Sequence, residues 1–303
     1  MLTTERAVSA AAAGHLAMLL FSALVAGSFS LGALVANEIS PLALSGARFV
    51  IATVLVGALL AARGQFRVEV LSAAARAPWR YALLGGIYGL YFVLMFEGLK
   101  TAPPVSMAAV FTLTPLASAG LAFLLLRQLT SLRVALALLI GAAGALQVIF
   151  RADISLLLAF TPGRGEVIFF VACLTYAAYA PLAARLSRGE GTLMFSFFVL
   201  LGASVMLLLA GAADLSATPW RHLPAIVWVT LIYTSVAATA VTVVLLQFAS
   251  LRLPASKVMA YTYLLPSWVI LWEVALGQAL PALLVFAGVG LSVLALGLLL
   301  RAR

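Results

Sequence analysis

Charge is what this 303-residue chain has least of. Only 9% of its residues are Asp, Glu, Lys or Arg, against about a quarter in an ordinary soluble domain. Hydrophobic residues make up 65%, and mean hydropathy is +1.19. A surface so poor in charge cannot face water, so the bilayer is its solvent. The 18 basic residues outnumber the 9 acidic ones, but they stand singly between apolar runs, which argues against nucleic acid as a partner. One cysteine, Cys173, excludes an intrachain disulfide. The chain has no Gly-x-x-x-x-Gly-Lys-Ser/Thr phosphate loop, which argues against ATP-driven work, and no His-Glu-x-x-His metal motif. Its two histidines, His15 and His222, are lone residues near the ends of apolar runs. The sequence therefore predicts no catalytic residue, no metal and no cofactor.

What is present is a succession of apolar runs, each near the 20 residues that a membrane helix needs. Ten follow one another at 15–36, 41–62, 79–98, 103–126, 132–150, 166–186, 192–213, 223–249, 254–276 and 281–300. The connections leave no room for a soluble domain. Leu16–Ala36 is uncharged and long enough to span, so it reads as a retained first helix rather than a signal peptide. With the N-terminus inside, 13 of the basic residues fall in cytoplasmic segments and 4 outside, Arg48 alone lying within a span. The positive-inside rule then places both termini in the cytoplasm.

The second half of the chain repeats the first. Pro103 and Pro115 are matched by Pro254 and Pro266 at a constant offset of 151 residues. Each pair sits in a similar apolar setting, Val110-Phe111-Thr112-Leu113-Thr114-Pro115 against Tyr261-Thr262-Tyr263-Leu264-Leu265-Pro266. Two repeats follow, 1–150 and 151–303. Five spans per repeat is an odd number, so the second enters the membrane from the opposite side. The expected fold is an all-α polytopic membrane protein: ten helices as two inverted five-helix repeats around a central cavity, a plan that suits alternating access.

Pro115 and Pro266 fall midway along spans four and nine, where each removes a backbone donor and bends its helix, so both are candidate hinges. Arg48 is the one basic residue well inside a span. It is expected to contact an anionic substrate group, to snorkel to the outer rim, or to pair with Glu97 or Glu273. Those two carboxylates are also the candidates for carrying a coupling proton. Hydroxylic aromatics concentrate in spans three, six, eight and nine. Together with nearby polar groups they give a cavity list of Ser28, Arg48, Tyr88, Phe92, Thr112, Tyr176, Tyr179, Tyr233, Gln247, Tyr261 and Tyr263. Tyr88, Phe92 and Phe96 share one helical face, which fits packing as well as a cavity wall. Gly85…Gly89 and Gly141…Gly144 read as sites of close helix packing.

This arrangement resembles the drug/metabolite transporter superfamily, and within it the ten-helix EamA-type exporters. The likeness rests on Ile39-Ser40-Pro41-Leu42…Arg48-Phe49, on Pro103…Pro115 and on Pro254…Pro266…Leu276-Gly277-Gln278, and it covers nearly the whole chain. Family members often carry a glutamate about 12 residues after each hinge proline; here those places hold Arg127 and Gln278. The resemblance implies an inner-membrane exporter of small metabolites, amino acids above all, working as a monomer or homodimer. The tyrosines tilt the expectation toward aromatic or other large apolar amino acids. Lipophilic-drug efflux is the alternative carrier, and a passive channel or a structural membrane protein the alternative from another class.

Overall fold

The computed structural model describes residues 2–66, 68–127, 131–149, 162–253 and 255–301. Among the described residues there is no strand. The elements are α1 (Leu2–Val35), α2 (Pro41–Ala62) and α3 (Trp79–Gly98), then α4 in two pieces (Pro104–Phe111, Thr114–Leu126) and α5 (Leu132–Ile149). The second set is α6 (Arg164–Leu186), α7 (Thr192–Ala210), α8 (Ala225–Ser235 and Thr242–Ser250, joined through Val236–Val241), α9 (Ala255–Ala260, Tyr261–Leu264 and Leu265–Ala275) and α10 (Leu283–Arg301). Nine stretches among the described residues are long and apolar enough to cross a membrane. The ninth expected span, α9, is present as three short helical pieces and is not among those nine. Large apolar side chains are left exposed on the perimeter, Leu283 at 85% and Leu209 at 72%, as a lipid-facing surface requires.

The pairing of helices is duplicated. α3 packs on α6 and α8 packs on α1; α4 packs on α6 and α9 on α1; α4 packs on α5 and α9 on α10. Each pair becomes the other when five helices are added to both members. α2–α7, α5–α10 and α4–α9 are their own mates and so lie across a pseudo-two-fold axis. Thr53 Oγ1 meets Ser204 Oγ at 2.9 Å, a separation of 151 residues, so two equivalent hydroxyls meet each other across that axis.

Local sequence explains the starts, breaks and close approaches. α2 begins where Ser40 Oγ accepts from Leu42 N–H and Pro41 occupies the first turn, where its missing donor is harmless. α4 breaks at Thr112–Leu113, immediately ahead of Pro115, and Thr112 Oγ1 donates to the Ala109 carbonyl at 2.7 Å. α9 tightens into a 3₁₀ turn over Tyr261–Leu264 immediately ahead of Pro266. The expected breaks thus occur at matched depth, each one turn before its proline. Pro254 lies outside the described residues. Gly85 lies on the α7 backbone at Gly202–Ala203 and Gly144 on the Gly288 carbonyl, where a Cβ would collide. Both positions bear out the close-packing reading.

Candidate functional site

Between the two repeats lies a narrow chamber of about 90 Å³, smaller than the roughly 300–1,000 Å³ usual for a small-molecule site. Its lining comes from seven helices of both repeats. One wall is aromatic: Tyr88, Tyr91, Phe92 and Met95 on α3, Phe111 on α4 and Tyr176 on α6. The facing wall is mainly aliphatic and hydroxylic, with Val25 on α1, Thr242, Val243 and Leu246 on α8 and Thr262 on α9, beside the rings of Phe21 and Phe29 on α1. These sets are two-fold mates, since Tyr91, Phe92, Met95 and Phe111 plus 151 give Thr242, Val243, Leu246 and Thr262, and Tyr176 minus 151 gives Val25.

Arg48 lies between the walls and is completely buried. The structure corrects two expectations for it. It does not snorkel to the rim, and neither Glu97 nor Glu273 reaches it. Glu97 instead pairs with Lys100 at 2.6 Å at the end of α3, and Glu273 sits half-buried on α9 away from the chamber. The Arg48 guanidinium points inward. Nε donates to Thr239 Oγ1 at 2.9 Å, and Nη2 makes a long 3.4 Å contact with the Ala238 carbonyl. Its Cζ lies 3.9 Å from the centroid of the Phe92 ring, close enough for a cation–π interaction. Nη1 has no hydrogen-bond partner.

Both acceptors come from Val236–Val241, where α8 widens into a single π turn. A π turn is a common local distortion at functional sites because it displaces groups from the regular ladder. Thr239 is held in place as well, its hydroxyl donating to the Thr234 carbonyl at 2.8 Å while accepting from Arg48. Sequence reading did not single out Thr239 or Ala238. The signal available was the hydroxyl spacing Thr230, Thr234-Ser235, Thr239 and Thr242 along one span.

The other expected cavity residues divide clearly. Ser28, Arg48, Tyr88, Phe92 and Tyr176 line the chamber together. Tyr179 stands behind them, stacked on Tyr176 and 5.3 Å from Tyr88 between ring centroids. Thr112, Tyr233, Tyr261 and Tyr263 do not line it, each for a local reason. Thr112 turns back onto its own helix, and the Tyr233 hydroxyl donates to the Leu24 carbonyl while its ring packs on Trp272. Tyr261 bonds His15 Nδ1 at 2.9 Å, and Tyr263 is buried against Gly141. The Gln247 side chain lies outside the described residues. Among the described residues no cluster of three His, Cys, Asp or Glu side chains is placed to hold a metal.

The two faces of the helix bundle are cross-linked differently. At the face carrying the N-terminus, His15 bonds Tyr261 and Arg80 ties α3 to the α6–α7 connection. Arg80 donates to the Leu186 carbonyl at 2.6 Å and pairs with Glu190 at 2.9 Å. Burial pushes the Glu190 carboxyl up, but hydrogen bonds from Tyr81, the Arg188 N–H and Arg80 outweigh it and hold the group at about 2. At the opposite face Ser106 donates to Glu166 at 2.9 Å and Ser40 to Asp214. Beneath them Phe29, Phe111 and Phe169 form an edge-packed plug.

Comparison with known proteins agrees with this geometry. The model of the EamA-like transporter family matches twice, over residues 12–150 and 163–301. The "Uncharacterized transporter YyaM" of Bacillus subtilis (strain 168) is 24% identical over 221 residues, covering 71% of this chain and 70% of that protein. A solved crystal structure with no functional description superposes with a TM-score of 0.64 at 20% identity and covers 96% of both chains, a likeness of fold.

Proposed function

The chain belongs to the EamA-like transporter family, which makes it a multi-pass membrane transporter and not an enzyme, and on that premise we propose what it carries and how. It is a secondary carrier that exports small carboxylate-bearing metabolites with a large apolar body, a class that includes the aromatic amino acids. It works by alternating access across the inner membrane, with both termini in the cytoplasm.

The observation that carries this reading is Arg48, sealed between two repeats with one guanidinium nitrogen unpartnered. A buried charge without a counter-ion is strongly unfavourable. A substrate carboxylate at Nη1 supplies the counter-ion, and the tyrosine and phenylalanine rings take up the apolar body. The bound carboxylate gives Arg48 its counter-ion, so the loaded carrier reorients more easily than the empty one, and exchange outpaces net flux. Pro115 and Pro266, each beside a ready-made helix break, are where the two repeats bend.

Counterflow in proteoliposomes tests the proposal. Vesicles are preloaded with the twenty amino acids and single labelled amino acids are added outside. Uptake of a subset with large apolar side chains, accelerated by internal substrate, is expected. A flux indifferent to internal substrate points to a pore, and no flux from folded protein sinks the amino-acid carrier. Transport of neutral lipophiles unaffected by Arg48→Met favours drug efflux, to which the apolar lining of the chamber is also suited.

A further inference from the structure

Among the described residues the chamber holds a cation and no anion. Of the nine acidic residues, seven have side chains that the structure describes, and none of those lines the chamber. Glu38 is exposed and Glu69 lies on the short helix Val68–Ala75. Glu97 is taken by Lys100, Glu166 by Ser106, Glu190 by Arg80 and Asp214 by Ser40. Glu273 is half-buried on α9 outside the lining. A zwitterionic amino acid brings an ammonium as well as a carboxylate. Arg48 answers the carboxylate and repels the ammonium, and the described lining offers that ammonium only hydroxyls and ring faces.

We infer that this site selects monoanionic carboxylates that carry an aromatic or bulky apolar body over the zwitterionic amino acids of the same shape, because Arg48 is paired with the substrate's single charge and, among the described residues, no carboxylate faces the chamber. This rests on the carrier reading above and narrows its substrate class. Physically, the carboxylate completes the one unpaired donor, Nη1. The loaded site is then neutral, the condition under which two charges can share a buried place. An added ammonium restores a net positive charge to a sealed volume, and ring faces offset only part of its lost hydration. Discrimination of this kind works by leaving the disfavoured ligand with an unanswered charge rather than by adding contacts to the favoured one.

Three probes of one shape separate the outcomes: 3-phenylpropionate, phenylalanine and phenethylamine, each used as competitor and as labelled substrate in counterflow with the full chain in proteoliposomes. The expected order is 3-phenylpropionate over phenylalanine by at least about tenfold in half-saturating concentration, one decade in affinity, with phenethylamine not carried. Arg48→Lys keeps the charge and the order, whereas Arg48→Met abolishes the advantage of 3-phenylpropionate. Should Arg48→Met fail to fold, the wild-type series and Arg48→Lys still decide. Phenylalanine carried as well as or better than 3-phenylpropionate overturns the inference and leaves the carrier reading intact. No flux of any of the three, nor of the amino-acid set, overturns both. An anion preference that survives in folded Arg48→Met overturns the role given to Arg48.

Discussion

The two walls of the chamber descend from one ancestral surface and have diverged in opposite chemical directions. On α3, α4 and α6 the positions are Tyr91, Phe92, Phe111 and Tyr176; on α8, α9 and α1 their mates are Thr242, Val243, Thr262 and Val25. Arg48 has Val199 as its mate, and Tyr88 has Thr239. The frame has kept its symmetry in the paired helix packing and in the Thr53–Ser204 contact. The interior has lost it. On the carrier reading proposed above, symmetry in the frame serves a motion that runs both ways, while asymmetry in the interior gives the ligand a head end and a ring end. The Arg48 pocket could not have formed at the mated place, because Thr239 is its acceptor and the corresponding position holds the bulky ring of Tyr88.

The largest effect is therefore expected from removing the polarity altogether. Arg48→Met leaves a long apolar side chain in the same space, so folding is preserved while the single charge is lost. Transport efficiency for a carboxylate substrate falls about 100-fold or more, the scale for losing a buried charge pair, measured as initial counterflow rates against concentration. Thr239→Val comes next. It removes the acceptor of Arg48 Nε without changing shape, and a hydrogen bond to a charged group is worth about 1.5–3 kcal/mol. Half-saturation then rises about tenfold or more, with maximal rate changed much less. A fall in maximal rate alone removes Thr239 from the binding geometry.

The breaks in α4 and α9 sharpen the comparison along a different line. α9 carries a full 3₁₀ turn ahead of Pro266, whereas α4 has only the short Thr112–Leu113 interruption ahead of Pro115. Pro115→Ala restores a donor where little else keeps the helix open, so α4 tends to straighten. Pro266→Ala leaves the 3₁₀ turn standing. Turnover is expected to fall several-fold in Pro115→Ala and less in Pro266→Ala, on the scale of a lost helix-breaking preference of about 3 kcal/mol shared with packing. Half-saturation stays near that of the parent in both. Equal, unchanged turnover in the two variants removes the hinge role.

Much of this frame is legible in the sequence, because hydrophobic length, proline position and repeat offset are backbone properties. Ten spans, matched breaks and close glycine contacts follow from them. The chamber was legible only in part. Ser28, Arg48, Tyr88, Phe92 and Tyr176 were found because a charge or a hydroxylic ring in a span is conspicuous. Thr112, Tyr233, Tyr261 and Tyr263 are equally conspicuous yet face elsewhere, since a helix is buried on several sides here and composition does not say which side meets a cavity. Thr239 escaped for the converse reason. The π turn that aims it depends on tertiary packing and leaves no mark stronger than a run of hydroxyls. That no described carboxylate partners Arg48 is also a tertiary fact, because Glu97 and Glu273 fall near the outer ends of their spans in the sequence and are placed away from Arg48 in space.

The smallest expected effect concerns the two membrane faces rather than the chamber walls. Arg80 and Glu190 tie α3 to the α6–α7 connection at the N-terminal face, and their mates are Leu231 and Ile39, so this ion pair has no counterpart at the mated place. The Glu190 carboxyl is held below its ordinary value of 4.5, at about 2. A depressed carboxyl contributes stability above the unfolded value, and that contribution is lost as pH falls through the folded one. Glu190→Gln is therefore expected to melt a few degrees below the parent at pH 7, with the gap closing as pH drops from about 4.5 toward 2. Glu166→Gln, at the face that relies on a hydroxyl–carboxylate contact and an aromatic plug, serves as the control and shifts melting less at neutral pH. The same substitution is expected to leave the preference among ligands unchanged, because Arg80 and Glu190 join two helices of one wall and line no part of the chamber. A change in ligand order in Glu190→Gln is the result that breaks the assignment of selection to the chamber walls.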